Sequence, residues 1–283
     1  LPRAVRADEQ QSAEGRVICR DSNRYAAWPS VACLKDGRTL VAAFSGDRLS
    51  HVCPSGKVEV IRSTDGGKTW EPPVRTTGSS PHGGIQLRDG RLFVVGRRYD
   101  DKGLQNEVVA ETSEDGGRSW KVLSRIGFQK PLDAAEAHEP HVAELKDGTL
   151  VAQFRYHGDK WCTLQSESAD GGKTWSAVHE TGIMGVPSHL LPLQDGRLLS
   201  TFSNRRKAPY VECAVLSEDG GKTWDIDNTI IISAQDGGNP GDMGYPSTTQ
   251  LKDGTLVTVY YQVAKPHKTP CLMATKWRLG AKK

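Results

Sequence analysis

The titratable side chains of this 283-residue chain gather in short segments beside apolar runs. "RYAAWPS", "SSPHGG", "AHEPH", "GVPSH" and "GDMGYPS" precede such runs, and "GDRLSH", "GRRYDD", "RYHGDKW", "SNRRKAPY" and "YQVAKPHK" follow others. Seven of the eight histidines fall there: His51, His82, His138, His141, His157, His189 and His267, with His179 elsewhere. Arg24, Arg48, Arg97, Arg98, Arg155, Arg205 and Arg206 lie in the same set of segments, with Asp47, Glu139, Asp242 and Tyr245. Imidazole gives and takes protons near neutral pH, and a guanidinium meets a carboxylate with paired donors. Brought together, such groups suit acid–base chemistry on an organic substrate that carries acidic groups. Whether they come together depends on the elements that hold them.

Those elements repeat. "STDGGKTW" occupies Ser63–Trp70, and close copies begin at Ser113, Ser168 and Ser217. A second phrase interleaves, as in "CLKDGRTLVAAF" and "ELKDGTLVAQF". Its aspartates, Asp36, Asp89, Asp147, Asp195 and Asp253, are spaced 53, 58, 48 and 58 residues apart. Asp-Gly between runs rich in Val, Leu and Phe predicts a hairpin, because Gly takes the positive φ that tight hairpin turns require. A third strand leads into each Ser-x-Asp-Gly-Gly phrase and a fourth leaves it. Each unit is then a four-stranded antiparallel meander, and a repeat of about fifty residues built that way predicts an all-β fold, a β-propeller. Five units are legible, so five blades are expected rather than six. The last unit stops after three strands, and "RVICR" (Arg16–Arg20) is expected to pair as its outer strand beside Cys271–Leu279, removing an open edge. The organisation expected is a flexible segment over 1–15 and a single propeller domain over 16–280.

In such a meander the Asp-Gly turns and the Ser-x-Asp-Gly-Gly phrases share one face of the disc. Their Ser, Thr and Asp side chains bond local backbone and their Trp packs between sheets, a structural role. The histidine-bearing loops share the opposite face, where the inner strands begin, and a central pocket is expected there.

The four turn phrases resemble the Asp-box, or BNR repeat, of the sialidase superfamily, and the resemblance runs from about residue 16 to the end of the chain. "EPHVAELKDGTLVAQFR" is similar to the sialidase stretch in which a Glu opens an inner strand and an Arg closes the next, which implies Glu139 and Arg155. "GYPSTTQLKDGTLVTVYY" is similar to the final-blade stretch that carries a nucleophilic tyrosine, which implies Tyr245. The resemblance implies that Glu139 takes the proton of Tyr245, since a phenol is a poor nucleophile near its free pKa of about 10. Sialidases are thereby an exception to the two-carboxylate rule of most glycosidases. It also implies an acid/base Asp in the first blade's loop "GDRLSH", where Asp47 is the candidate and His51 its rival. The chain departs from the family at the three arginines that clamp the substrate carboxylate. Ala27-Trp28-Pro29 stands where Arg-Ile-Pro is usual, and Trp161 and Tyr210 stand at the other two places. Sialidases also usually have six blades. The substrate-binding candidates are Arg24, Trp28, His51, His82, Arg97, His138, Arg155, His189 and Arg205. Of these, Arg24, Arg97, Arg155 and Arg205 offer to rebuild a carboxylate site.

Three functions stay open. One is a sialidase-like glycoside hydrolase, exo-acting on a terminal sugar that is acidic or neutral. Another is a polysaccharide lyase that takes the proton α to a uronate carboxylate, with arginine neutralising the enolate. The third is a non-catalytic glycan-binding propeller. All three take a carbohydrate partner and none needs a cofactor. No metal is expected: Pro140 keeps "HEPH" off a helix, and strand alternation sends positions 138 and 141 to opposite faces. The six cysteines form no Cys-x-x-Cys pair and read as buried thiols. A net charge of +3 with dispersed basic residues gives no case for nucleic acid or an anionic membrane surface. No apolar run approaches the eighteen or so residues of a membrane span. "LPRAVRADEQQSAEG" is too polar for a signal peptide. A secreted or periplasmic location is expected, with such a peptide removed before Leu1. Nothing in the sequence sets the oligomeric state.

Overall fold

The computed structural model of the chain describes residues 18–19, 25–49, 57–98, 107–235, 242–263 and 269–280. Its strands form five antiparallel sheets, the blades of a propeller. Blade one holds β1 (Tyr25–Cys33), β2 (Leu40–Arg48), β3 (Lys57–Ser63) and β4 (Val74–Arg75). Blade two has a broken inner strand, β5 (Gly78–Ser79) and β6 (Ile85–Gln86), both paired with β7 (Leu92–Arg98), then β8 (Glu107–Ser113) and β9 (Lys121–Ile126). Blade three holds β10 (Ala137–Glu144), β11 (Leu150–Tyr156), β12 (Thr163–Ser168) and β13 (His179–Glu180). Blade four holds β14 (Ser188–Pro192), β15 (Leu198–Asn204), β16 (Val211–Ser217) and β17 (Ile230–Ala234). Blade five shows β18 (Gly244–Gln250), β19 (Leu256–Gln262) and β20 (Cys271–Trp277). The expected fourth strand of blade five, Arg16–Arg20, lies outside the described residues except for Ile18 and Cys19. Cys19 packs against Ala42, Phe44 and Ile61 of blade one.

Inner strands of successive blades pack on one another, β10 against β14 and β14 against β18. The middle strands of blades two to four are covered by sheets on both sides, so they read as continuous apolar runs. "LFVVG" in β7 and "LVAQF" in β11 are buried at every position. In blades one and five the burial alternates along β2 and β19, with Val31, Val259 and Leu272 exposed. Cys162 and Cys213 are buried as expected, but Cys33 is exposed because the end of β1 is uncovered. No helix among the described residues is long and apolar enough to cross a membrane.

The turn phrase builds the same knot four times. Ser63 Oγ donates to Asp65 Oδ1 at 2.8 Å and accepts from Gly67 N at 2.9 Å, while Thr69 donates to Asp65 through N and Oγ1. Ser168, Asp170, Gly172 and Thr174 repeat it in blade three. The second glycine of the phrase has two reasons to be bare. Gly172 has φ +90°, and a Cβ there would sit 2.5 Å from Phe93 Cζ of blade two. The phrase tryptophan then ties adjacent blades: Trp175 lies 6.5 Å from the Phe93 ring and donates to Ser124 Oγ of blade two at 3.0 Å.

Candidate active site

The inner strands β10 and β18 both slip register near their starts, between His138 and His141 and between Gly244 and Ser247. Each slip contains an Xaa-Pro pair, Glu139-Pro140 and Tyr245-Pro246. Proline has no N–H for the ladder, so a bulge is where a strand tolerates it. Glu139 and Tyr245 take left-handed φ values of 45° and 56° there. For residues with a Cβ this costs about 1–2 kcal/mol, a strain that sheets elsewhere avoid. Two of the other positive-φ residues without a glycine's freedom, Asp47 (52°) and Trp161 (27°), also lie at the pocket face.

These bulges bring together two residues 106 positions apart: Tyr245 Oη donates to Glu139 Oε1. Arg155 Nη1 donates to the other oxygen, Glu139 Oε2, at 2.7 Å, and lies 3.5 Å from Tyr245 Oη. Burial, reinforced by the negative charge of Glu139, pushes the Tyr245 phenol above its ordinary value. Gly244 leaves room beneath: a Cβ there would lie 3.0 Å from Ser203 Oγ and 3.2 Å from Arg205 Nη1. The Arg205 guanidinium carbon sits 5.9 Å from the Tyr245 ring centre, and its Nη2 donates to Tyr261 Oη at 3.4 Å. Beside it, buried Glu212 accepts from Ser203 Oγ at 2.7 Å, and burial pushes its carboxyl up to about 7.

Arg155 also donates to His157 Nε2 at 2.5 Å, and His157 stacks on Trp161 with ring centres 4.4 Å apart. The Arg206 guanidinium carbon lies 5.1 Å from the Trp161 ring centre. A cleft of about 510 Å³ opens here, lined by Lys130, Glu136, Tyr156, His157, Trp161 and Arg206 among others. Arg97 is buried and turns its donors to the protein, meeting Ala135 O at 2.8 Å, Ala137 O at 3.1 Å and the His138 ring. Burial, then the Arg97 charge, lowers His138 to about 4. Glu136, His138 and His157 come close enough for one cation to reach all three, their ligand atoms lying within 4.8 Å of one another. Arg97 and Arg155 already face those two imidazoles, so a cation would add positive charge to positive charge.

Below this layer His82, His141 and His189 converge from three blades, with His141 and His189 stacked at 4.3 Å. His82 reaches them because Pro81 and Gly83 arch the chain between β5 and β6.

Of the residues singled out by sequence, Glu139, Arg155, Tyr245 and Arg205 are gathered in one place, with His82, His138 and His189 around it. Asp47 has a partner in its own blade. Its carboxylate pairs with Arg75 Nη2 at 3.2 Å, on the outer strand of its blade. Arg24, His51 and the Trp28 side chain lie outside what the structure describes. His157, Trp161, Glu212 and Tyr261 join the site without having been selected. For Glu212 a signal existed, a lone carboxylate in the apolar run "VECAVL". For Trp161 the signal was its place where the resembling family has a clamp arginine, and for Tyr261 there was none, since aromatics near strand ends are common packing residues.

A protein-family model described as a BNR repeat-like domain matches residues 3–258. Among curated proteins, a sialidase of Bacteroides fragilis is 26% identical over 257 residues, covering 82% of this chain and 43% of its own. A sialidase of Micromonospora viridifaciens is 26% identical, covering 71% of this chain and 33% of its own. The chain thus spans less than half the length of these relatives. Among solved structures, a Dyadobacter fermentans protein of unknown function superposes with a TM-score of 0.78 at 23% identity, over 94% of this chain and 80% of that one. A Penicillium chrysogenum α-L-arabinanase complexed with arabinobiose gives 0.58 at 16% identity, over 83% and 77%. The structural likenesses establish the fold, and the family match over most of the sequence establishes that this chain belongs to the BNR repeat-like domain family.

Proposed function

We propose that the chain is a glycoside hydrolase that releases a terminal sugar, with Tyr245 as nucleophile and Glu139 as its base. The observation that carries this reading is the Tyr245–Glu139 hydrogen bond with Arg155 on the second carboxylate oxygen. A phenol whose pKa is raised is not ionised beforehand, so its proton must leave as the oxygen attacks. Glu139 Oε1 already accepts that proton's hydrogen bond. As the bond from Tyr245 Oη to the anomeric carbon forms and the glycosidic bond breaks, the proton passes to Glu139. Arg155 and Arg205 then face an oxygen on which negative charge grows, a pre-organised field of the kind that lowers barriers. Water afterwards hydrolyses the glycosyl–tyrosine bond. Asp47 is assigned to protonate the leaving oxygen, which requires it to exchange Arg75 for substrate. Arg155, Arg205 and Arg206 are the groups for an acidic substituent, and Arg97 acts through His138 as a positioning residue.

Sialidase relatives and arabinanase-like folds both favour a hydrolase, though they point to different sugars. The lyase reading needs an imidazole lone pair free to act as base. Among the five described pocket histidines, His138, His141, His157 and His189 each have a ring nitrogen engaged by an N–H donor. A secreted or periplasmic location suits a glycan substrate and belongs to this proposal.

The test is a panel of aryl glycosides, including sialosides and α-L-arabinofuranosides, beside uronate polysaccharides. Aryl release is expected, falling about 10³-fold or more in Tyr245→Phe with the fold intact. An ultraviolet-absorbing unsaturated product would replace this reading with the lyase. Binding without turnover would replace it with the glycan-binding module.

A further inference from the structure

If Tyr245 attacks the anomeric carbon, as proposed above, the side chains beneath it decide which sugars fit. Three imidazoles lie there, one from each of blades two, three and four. The ring centre of His82 is 6.3 Å from that of Tyr245, 5.4 Å from His141 and 5.8 Å from His189.

Neighbouring backbone fixes the protons on two of these rings. The Leu190 N–H donates to His141 Nδ1 at 2.9 Å, and the Thr248 N–H reaches His189 Nδ1 at 3.5 Å. A ring nitrogen that accepts carries no proton, so each neutral ring holds its proton on Nε2. Beside them, His82 Nε2 is buried without a hydrogen-bond partner among the described residues. Burial keeps all three rings uncharged: His82 is lowered to about 4, His189 to about 3 and His141 well below its ordinary value. Buried polar nitrogens without partners are rare in folded proteins, and each normally has a ligand or water to meet.

We propose that His82, His141 and His189 form the floor of the sugar site and bind an uncharged hydrogen-bond acceptor of the sugar, a hydroxyl or an acetamido carbonyl oxygen. A carboxylate belongs one layer higher, because hydrogen bonds from charged guanidinium donors are about twice as strong as those from neutral ones. The floor therefore orients the sugar by a neutral substituent while Arg155 and Arg205 take any acidic one. The same tautomers argue against a metal at the floor. Coordination through Nε2 would move the protons to Nδ1, against the N–H groups of Leu190 and Thr248.

The test is long-range proton–nitrogen NMR of the imidazoles, with N-acetylneuraminic acid and arabinobiose as separate probes. Both carry hydroxyls and only the first an acetamido group, so a shift with arabinobiose assigns the acceptor to a hydroxyl. The free protein should show His141 and His189 as Nε2–H tautomers from pH 5 to 8. At least one sugar should shift Nε2 of the floor rings and leave His179, on the outer strand β13, unmoved. His189→Phe should weaken that sugar about tenfold, the effect of one neutral hydrogen bond, whereas His189→Gln, which keeps a donor, should weaken it less. Nδ1–H tautomers, no shift with either sugar, or unchanged affinity in His189→Phe would overturn the proposal. Only arabinobiose of the two has a glycosidic bond, so rings shifted by either sugar, with neither arabinobiose nor the aryl glycosides above hydrolysed, leave the floor standing and remove the hydrolase. A sugar hydrolysed with the rings unmoved removes the floor alone.

Discussion

The two faces of the propeller both carry polar groups and treat them in opposite ways. On the turn face the phrase aspartates are satisfied within their own phrases, as Asp170 is by Ser168 and Thr174 two and four residues away. On the pocket face the partners come from other blades, as Tyr245 and Glu139 do across 106 residues. The turn face uses glycine for its left-handed corners, at no steric cost. The pocket face puts Glu139 and Tyr245 into that conformation and bears the strain. Thr174 hydrogen bonds hold the exposed Asp170 carboxyl at about 2, while burial drives the shifts of His82 and His189. Local satisfaction makes a part repeatable, and long-range satisfaction makes a site unique.

If that contrast is right, substitutions on the two faces separate activity from stability. The largest effect is expected from Glu139→Gln, which keeps the shape but removes the proton acceptor. Turnover on a cleaved glycoside should fall about 10²–10⁴-fold, the usual worth of a positioned acid or base, with the melting temperature little changed. A variant that unfolds instead would make Glu139 a structural partner of Arg155 and blur the two faces. On the turn face, Trp175→Ala should cost about 3 kcal/mol in denaturant unfolding, as truncating a large aromatic does. Specific activity of the folded fraction should stay the same, and its loss would give the turn face a functional role.

Acid separates the faces by pH. Buried His82 has a pKa lowered from 6.5 to about 4, so the unfolded chain binds a proton that the folded ring refuses. Its contribution is complete above about 6.5 and is lost as pH falls toward 4. Asp170, lowered from 3.8 to about 2, contributes fully above 3.8 and is lost only as pH falls toward 2. Melting temperatures should therefore decline in two stages, and His82→Gln should flatten the upper one. A single transition near pH 3 would show that the histidines are not held neutral. The smallest effect belongs to Gly66→Ala in blade one. With φ +74° and nothing within 4 Å of an added Cβ, the substitution carries only the left-handed penalty, about 1 kcal/mol in denaturant unfolding.

Much of this was legible in order of distance along the chain. Asp-Gly pairs, apolar runs and the four turn phrases specify contacts within about ten residues, so strands, turns and blade number follow from them. Family resemblance singled out Glu139, Arg155 and Tyr245, but it did not say that Arg97 would turn its donors to Ala135 and Ala137. It gave no sign that Asp47 would pair with Arg75. Nor could strand alternation place His138 and His141, because the bulge between them breaks it.

By itself, then, the sequence determined a propeller of fifty-residue units with its polar loops on one face, since each unit's hydrogen bonds close over short spans. Only the tertiary structure decided which loop residues meet. The Glu139–Tyr245–Arg155 contacts and the backbone contacts of His141 and His189 depend on how one blade's inner strand packs on the next. That packing is set by side-chain volume and by backbone N–H groups from other blades, neither of which is written beside the residues it positions.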